Sequence, residues 1–255
     1  MIIAIANQKG GVGKTTTAVN LAGILSEKKK KILLIDLDPQ ANATTHLGFN
    51  PDEIIKSIYN FLIGETSFDE CVLKINENLY LLPSTLKLAE LEIKLLTKLL
   101  NRENVLKEKM APFENRFEFI IIDCPPNLGI LTINGLCCAD KLLIPVQTQY
   151  LPLEGLNVLI NLAKEIEGQL EKKNYILGIL PTMYAKREKM CQETLQTIME
   201  TNLKDLLFKT KIRRTVSLQE ASKKGKPINQ CSPVSFGAKD YYEFVEEFLK
   251  KLYNV

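Results

Sequence analysis

The chain has 255 residues, of which 45% are hydrophobic and 25% are charged, an ordinary balance for a globular protein with a full core. No apolar run reaches the roughly 18–20 residues that a membrane-spanning helix needs, so the cytoplasm is the expected compartment. A single histidine and six cysteines without a CxxC pair argue against a histidine-rich metal site and a disulfide framework. We expect these cysteines to be small buried hydrophobes.

Short apolar segments alternate with helical patterns along the chain. Strands are predicted at residues 2–6, 32–36, 79–82, 117–123, 141–146 and 175–181. Helices are predicted at residues 15–27, 85–110, 153–170, 189–199 and 238–255. Continuous Ile, Leu and Val runs are typical of strands buried on both faces, so the pattern predicts a doubly wound α/β fold with a mainly parallel sheet and helices on both faces. Because no linker-like segment interrupts it, residues 1–255 are predicted to form a single domain.

A glycine-rich segment, KGGVGKTT at residues 9–16, follows the first predicted strand and precedes the first predicted helix. Its glycines allow backbone N–H groups to approach phosphates, and the helix N-terminus adds partial positive charge. In such a P-loop, Lys14 neutralises the outer phosphates and the Thr15 hydroxyl is placed to ligate magnesium. The segment therefore predicts a nucleoside triphosphate site, with a chance glycine-rich turn as the alternative.

Two other segments place carboxylates at strand ends. FEFIIIDCPP at 117–126 leads into Asp123, at the edge of the sheet where α/β proteins bind ligands, so Asp123 is predicted to serve the magnesium ion. LLIDLDPQ at 33–40 places Asp38 just beyond another strand. Asp38 is predicted to orient the attacking water or to reach the metal, and a surface acid in a turn is the alternative.

Together these segments resemble the deviant Walker A ATPases of the ParA/MinD group, and most closely the ParA partition ATPases of the Soj type. KGGVGKTT, DLDPQAN at 36–42 and IIDCPP at 121–126 occur in the family's order, and later segments agree across nearly the whole chain. The resemblance implies an ATPase of chromosome or plasmid partitioning that uses ATP and Mg²⁺. It also implies slow hydrolysis, a ParB-like partner that stimulates it, and a nucleoid-associated location.

The resemblance also implies roles for individual residues. Lys9, five residues before Lys14, is implied to reach the phosphates bound by the second subunit of an ATP-bound homodimer. Such a lysine offsets the repulsion between two facing polyphosphates, whereas the alternative is a lysine that solvates the loop edge. The implied catalytic residues are Asp38, Lys9 and Lys14, and the implied metal ligands are Thr15 and Asp123. The implied ATP contacts are Lys9, Gly10, Gly11, Val12, Gly13, Lys14, Thr15, Thr16, Met183, Arg213 and Thr215.

The base-contacting segment departs from the family pattern. The family resembles IPRNV at this point, whereas this chain has KIRRTVS at 211–217, with Arg213 in place of the proline and Thr215 in place of the asparagine. Arg213 is predicted either to stack on adenine as a planar cation or to turn outward and bind phosphate. The sequence therefore defines the triphosphate contacts better than the base contacts.

Positive charge is concentrated in residues 182–226, which contain eleven Lys and Arg and only five Asp and Glu. The whole chain has a net charge of only +3, so the remainder is acidic. This uneven distribution favours a polyanion partner, although a charged cluster is often only a solvated surface. With the resemblance, it predicts non-specific binding of double-stranded DNA by Lys186, Arg187, Lys211, Arg213, Arg214 and Lys223.

Two other function classes use related P-loops. A MinD-like regulator of the division site needs a basic amphipathic helix at the membrane, but Glu243, Glu246 and Glu247 lie on the polar side of the last predicted helix. We therefore expect that helix to pack onto the domain and expect no membrane partner. An iron–sulfur reductase needs cysteines at spacings that this chain does not have.

Overall fold

A mostly parallel sheet forms the centre of the molecule, which a computed structural model describes at residues 1–97, 100–149 and 153–253. The strand order is β3-β4-β2-β5-β1-β6-β7. Its strands are β1 (Ile2–Ile5), β2 (Ile32–Asp36), β3 (Leu73–Lys74), β4 (Leu79–Leu82), β5 (Phe119–Asp123), β6 (Lys141–Gln147) and β7 (Ile176–Thr182). Among these strands β3 pairs antiparallel with β4 and the other pairings are parallel, which confirms the predicted sheet type.

Helices cover both faces of this sheet, as predicted. They are α1 (Lys14–Glu27), α2 (Asn42–His46), α3 (Ile58–Ile63), α4 (Phe68–Cys71), α5 (Leu88–Thr97), α6 (Val105–Met110), α7 (Ile130–Cys138), α8 (Leu153–Gln169), α9 (Lys189–Met199), α10 (Val216–Lys223), α11 (Ile228–Cys231) and α12 (Phe236–Tyr253). Short 3₁₀ helices lie at Pro51–Glu53, Ala111–Arg116 and Lys204–Leu206. Alternate residues of the central strands β1, β2 and β5 belong to different hydrophobic clusters, one containing α1 and α12 and the other containing α5 to α8. The doubly wound fold is therefore confirmed.

The long helix predicted at 85–110 is wrong, because the structure has α5 and α6 in its place. Asn101 has a left-handed backbone with φ 55°, which an α-helix cannot contain. Asn104 then occupies the N-cap position of α6, and its N–H donates to the Asn101 carbonyl at 3.2 Å. Residues 98–99 of the predicted helix lie outside the described part of the chain, as do 254–255 of the last one. The short strand β3 and the small helices α2, α3, α4, α6, α7, α10 and α11 were not predicted as separate elements.

The C-terminal helix α12 packs against the domain, as the sequence led us to expect. Its Tyr241, Phe244 and Phe248 are fully buried in the cluster that contains α1. On its other side, Glu247 accepts hydrogen bonds from the backbone N–H groups of Lys209 and Thr210 at 2.7 and 2.9 Å. The apolar side of α12 is therefore part of the core. In the described residues, no helix is both long and apolar enough to cross a bilayer.

The cysteines lie in the core as expected. Cys71, Cys124, Cys137, Cys138 and Cys191 are buried free thiols, and Cys231 is half-buried. Burial raises the pKa of the Cys138 thiol to about 12, so this group is an uncharged apolar side chain at neutral pH. These thiols therefore contribute packing volume.

Candidate nucleotide-binding site

The phosphate-binding loop lies between β1 and α1 and is shaped by its own backbone. Asn7 supports its start, since its Nδ2 donates to the Pro145 carbonyl at 2.7 Å and its Oδ1 accepts from the Lys9 N–H at 3.0 Å. Gly11 and Gly13 have φ of 73° and 87°, a conformation that L side chains rarely adopt. These two glycines turn the backbone so that α1 begins at Lys14, which gives the loop a helix N-terminus.

Both lysines of the loop have defined positions. Lys14 is buried, and its Nζ donates to the Lys9 carbonyl at 3.3 Å. Burial lowers the pKa of Lys14, while the charges of Asp123 and Asp38 oppose this change. The Lys9 Nζ donates to Oε1 of Gln147, at the end of β6, at 3.1 Å. Lys9 therefore lies at the half-exposed rim of the loop and Lys14 inside it.

Two carboxylates meet below the loop because β2 and β5 end at the same level. Asp36 and Asp123 are register partners on these adjacent strands, and both are fully buried. Oδ2 of Asp36 accepts hydrogen bonds from the backbone N–H and the hydroxyl of Thr44, at 2.8 and 2.7 Å. Burial nevertheless raises the pKa of Asp36 to about 7. Sequence reasoning identified Asp123 but missed Asp36, whose position at the end of a predicted strand was the available signal.

Asp123 has the features expected of a group that awaits a cation. Both of its carboxylate oxygens are buried and neither accepts a hydrogen bond of normal geometry. Burial and the nearby charge of Asp36 raise the pKa of Asp123, and the hydroxyl of Thr15 and the charge of Lys14 oppose the rise. A bound divalent cation reverses such a shift because it stabilises the ionised carboxylate. Thr15 and Asp123 are therefore brought together and fit a magnesium site.

A cavity of about 340 Å³ opens above the loop. Its lining includes Gly10, Gly11, Gly13, Lys14, Thr15, Thr16, Asp38 and Met183, all of them predicted site residues. Asp38 is almost fully buried. Its backbone N–H donates to Asp36 Oδ1 at 3.2 Å, and its own Oδ1 accepts a hydrogen bond from the Gln40 N–H at 2.9 Å. The structure thus assembles the predicted phosphate contacts with the predicted water-orienting carboxylate.

The same cavity is lined by residues that the sequence did not suggest. His46 at the end of α2 is buried, and its Nε2 has no hydrogen-bond partner. Burial lowers the pKa of His46 to about 4, so the imidazole is neutral at physiological pH. Ser222 of α10 also lines this cavity. No sequence motif marks either residue, and α2 and α10 meet only through the fold, where Gly48 and Gly225 bring two backbones into direct contact.

A second cavity, of about 420 Å³, adjoins the first. The two share Gly13, Thr16, Met183 and Ser222 as lining residues. The predicted base-contacting residues Arg213 and Thr215 line the second cavity, together with Leu218, Gln219 and Tyr241. The volume and the mixed apolar and polar lining are typical of a small-molecule site. The two cavities therefore form one continuous pocket. One part lies at the phosphate loop, and the other lies beside Arg213. We call the part beside Arg213 the base cavity.

The side chain of Arg213 is directed toward α12. Its Nη2 lies 2.5 Å from Asp240 Oδ1, its Nε donates to both oxygens at 2.9 and 3.0 Å, and Asp240 is nearly inaccessible to solvent. The guanidinium carbon also lies 4.5 Å from the centre of the Phe236 ring. The predicted stacking on a base is compatible with this position. A DNA contact by Arg213, which also stays a prediction, would have to compete with the bond to Asp240.

The other cations of the basic segment approach one another at the edge of β7. The Tyr184 N–H donates to the Ile212 carbonyl at 3.0 Å, and the Arg214 N–H donates to the Tyr184 carbonyl at 3.2 Å. These bonds join the chain around Lys186 to that around Arg214. Lys186, Arg187, Arg214 and Lys223 are exposed and Lys211 is half-exposed, so the residues predicted to bind DNA are accessible.

The family of this chain is shown by three comparisons. A family model described as an AAA domain matches residues 1–176. The sporulation initiation inhibitor protein Soj of Bacillus subtilis is 40% identical over 247 residues, which are 96% of this chain and 97% of the relative. The chromosome-partitioning ATPase Soj of Treponema pallidum is 38% identical over 251 residues, covering 98% and 97%.

A solved structure shows the same fold. Cobyrinic acid a,c-diamide synthase from Mycobacterium smegmatis, solved with a bound ATP analog and magnesium, is 32% identical with a TM-score of 0.84, covering 99% of this chain and 95% of that chain. The similarity in fold thus extends to a protein named for a different reaction, while the full-length relative from Treponema pallidum is named for chromosome partitioning. With the P-loop, the strand-end carboxylates and these relatives, the chain belongs to the ParA/Soj family of deviant Walker A partitioning ATPases.

Proposed function

We propose that this protein is an ATP-dependent switch for DNA segregation, in which ATP closes a homodimer that binds double-stranded DNA without sequence preference. One observation carries the proposal. Helix α10 belongs both to the nucleotide pocket and to the basic surface, because Ser222 lines the phosphate cavity while the adjacent Lys223 lines the base cavity and is exposed. A nucleotide in the pocket therefore contacts the element that presents positive charge.

ATP is the substrate that this pocket fits, and Mg²⁺ is its cofactor. The loop amides and Lys14 bind the phosphates, and Thr15 and Asp123 hold the metal ion. Bound there, Mg²⁺ neutralises phosphate charge and favours the ionised form of Asp123. Within the described residues no group of three or more His, Cys, Asp or Glu side chains is placed to hold a metal ion.

Hydrolysis requires a water molecule placed in line with the outer phosphate. Asp38 is the residue that orients this water, because it lines the phosphate cavity and its Oδ1 is held by the Gln40 N–H. Attack on the outer phosphorus breaks the bond to the bridging oxygen and gives ADP and phosphate. Such chemistry depends on positioning and electrostatic stabilisation, so a site that lacks one positioning group turns over slowly. We propose that a ParB-like partner accelerates this step.

Lys9 is the proposed link between ATP and the dimer. Its position at the half-exposed rim, outside Lys14, supports this role because a second subunit that faces the loop could reach it. Two facing ATP molecules would repel each other, and a lysine from each subunit on the opposing phosphates reverses that interaction. To make this contact, Lys9 must exchange its hydrogen bond with Gln147 for phosphate oxygens. The dimer then forms only when the triphosphate is present.

The DNA contacts proposed for this dimer are phosphate contacts by Lys186, Arg187, Lys211, Arg214 and Lys223. Contacts of this type carry no sequence information and depend strongly on salt. They would place the ATP-bound protein on the nucleoid and release it after hydrolysis.

The test is the affinity for a random-sequence duplex, measured by fluorescence anisotropy over a series of salt concentrations. The protein is assayed without nucleotide, with ADP, and with a non-hydrolysable ATP analogue, each with Mg²⁺. We expect the tightest binding in the triphosphate state and a steep fall in affinity as salt rises. Equal affinity in all three states would contradict the switch.

A matched pair of variants tests the surface. Arg187→Glu should weaken binding several-fold and reduce the salt slope by about 1. Lys173→Glu makes a comparable charge change at an exposed position before β7, away from the basic segment, and should have a much smaller effect. Equal effects of the two variants would show that only net charge matters and would refute the proposed surface.

A further inference from the structure

The guanidinium group of Arg213 is held rigidly by two residues of α12. Asp240 fixes its direction through the contacts to Nε and Nη2, and it also accepts the backbone N–H of Arg213 at 2.9 Å. Phe236 lies against the guanidinium at 4.5 Å from the ring centre. A planar cation clamped in this way loses little conformational freedom when a ligand binds.

Arg213 also belongs to the wall of the base cavity. Arg213 lines that cavity, whereas its two supports, Phe236 and Asp240, are not among the described residues that do so. Arg213 is thus the member of this group that a ligand in the cavity would meet. The lining also includes Gly13 and Thr16, which line the phosphate cavity as well, so a ligand with its phosphates at the loop can extend into the base cavity.

We propose that Arg213 is the platform on which the nucleotide base stacks, and that Asp240 and Phe236 are its positioning residues. The proposal rests on the proposed binding of a nucleoside triphosphate at the P-loop. A guanidinium plane stacks on any aromatic face, and every base has such a face. Phe236, Arg213 and the base then form three layers.

The chemistry of a stacking platform sets the specificity of the site. Stacking responds to the size of the ring system and little to its exocyclic groups, so it separates adenine from guanine weakly. This chain should therefore bind ATP and GTP with affinities within about tenfold of each other. The same arrangement directs the Nε edge of Arg213 to Asp240, so a DNA contact by Arg213 would have to compete with this ion pair.

The experiment is isothermal titration calorimetry of the full chain with ATP, GTP and inorganic tripolyphosphate, each with Mg²⁺. Arg213→Lys keeps the positive charge and removes the planar guanidinium group. It should therefore lower the affinities for ATP and GTP by about tenfold and leave the affinity for tripolyphosphate unchanged. Asp240→Asn and Phe236→Leu should produce a smaller loss with the same selectivity for base-containing ligands. A general structural defect would weaken all three ligands alike.

Lys239→Ala is the matched control. The Lys239 Nζ also lies near the Phe236 ring, at 5.8 Å from its centre, but Lys239 is not among the described residues lining the base cavity. Its removal should leave all three affinities unchanged. Unchanged ATP affinity in Arg213→Lys, an equal loss for tripolyphosphate, or a wild-type preference for ATP over GTP above a hundredfold would each overturn the stacking role. A wild-type chain that does not bind tripolyphosphate would instead refute the P-loop proposal, and the stacking role with it.

Discussion

The two ends of the nucleotide pocket are built in different ways. The phosphate end is built around consecutive residues of the loop, 9–16, whose backbone conformation depends on glycines with positive φ. The base end is assembled from side chains that are far apart in the chain, such as Arg213 and Asp240, which are 27 residues apart. A backbone cradle tolerates little change, whereas a wall of side chains can be rebuilt. This difference explains why the family pattern is intact at one end and altered at the other.

The largest expected effect lies at the phosphate end. Lys14→Ala should reduce ATP affinity on the order of 100-fold, because it removes a buried cation that makes charge-assisted hydrogen bonds to phosphate. Calorimetry with ATP and with tripolyphosphate measures the loss, and thermal unfolding without nucleotide checks the fold. Normal ATP binding by this variant would show that the loop is not the phosphate site. The distinction between a phosphate end and a base end of the pocket would then be wrong.

The burial of His46 at the phosphate cavity predicts that the stability of the protein depends on pH. Burial depresses the pKa of His46 from 6.5 to about 4, so the unfolded chain binds a proton between these values that the folded chain does not. The contribution of His46 to stability is therefore present above pH 6.5 and falls as the pH drops toward 4. Relative to His46→Gln, the wild type should lose about 2 kcal/mol of unfolding free energy between pH 7 and pH 5.

Chemical denaturation of both proteins at each pH measures this difference. The buried carboxyls Asp36 and Asp123 have raised pKa values and act in the opposite direction, but they are present in both proteins and cancel. A constant difference across this range would mean that His46 is not buried as a neutral group beside the loop.

The smallest expected effect is a difference in stability between alanine variants of two glycines of the same loop. Gly13 has φ 87°, so Gly13→Ala should cost about 1–2 kcal/mol of stability without nucleotide. A Cβ on Gly10 would meet only the Pro126 Cβ at 3.9 Å and needs no left-handed backbone, so Gly10→Ala should change stability by less than about 0.5 kcal/mol. Thermal unfolding of the two variants compares them. Similar losses in both would show that backbone strain does not shape the cradle.

Most of the fold was predictable because buried parallel strands are continuous apolar runs. The predicted ends of the strand at 32–36 are those of β2, and the ends of β6 and β7 differ by one residue. The break between α5 and α6 was not predicted, because leucine and isoleucine continue at helical spacing while Asn101 takes a left-handed conformation. The two-residue strand β3 is too short to show any periodicity.

The candidate site was predictable only in part, because local patterns reveal motif residues and do not reveal the tertiary contacts around them. A linear motif identified Lys14 and Thr15 at the phosphate end, and a strand-end pattern identified Asp123. The pairing of Asp36 with Thr44, the burial of His46 and the ion pair of Arg213 with Asp240 depend on tertiary packing. No local pattern encodes such contacts, so they required the structure.

The central claim is that ATP closes a dimer through Lys9, and sedimentation velocity tests it most directly. The wild type, Lys9→Ala and the exposed control Lys250→Ala are compared with ADP and with a non-hydrolysable ATP analogue in the presence of Mg²⁺. We predict that the wild type and Lys250→Ala are dimers only with the triphosphate, and that Lys9→Ala binds the analogue but stays monomeric. A Lys9→Ala variant that dimerises with the analogue as the wild type does would contradict the account.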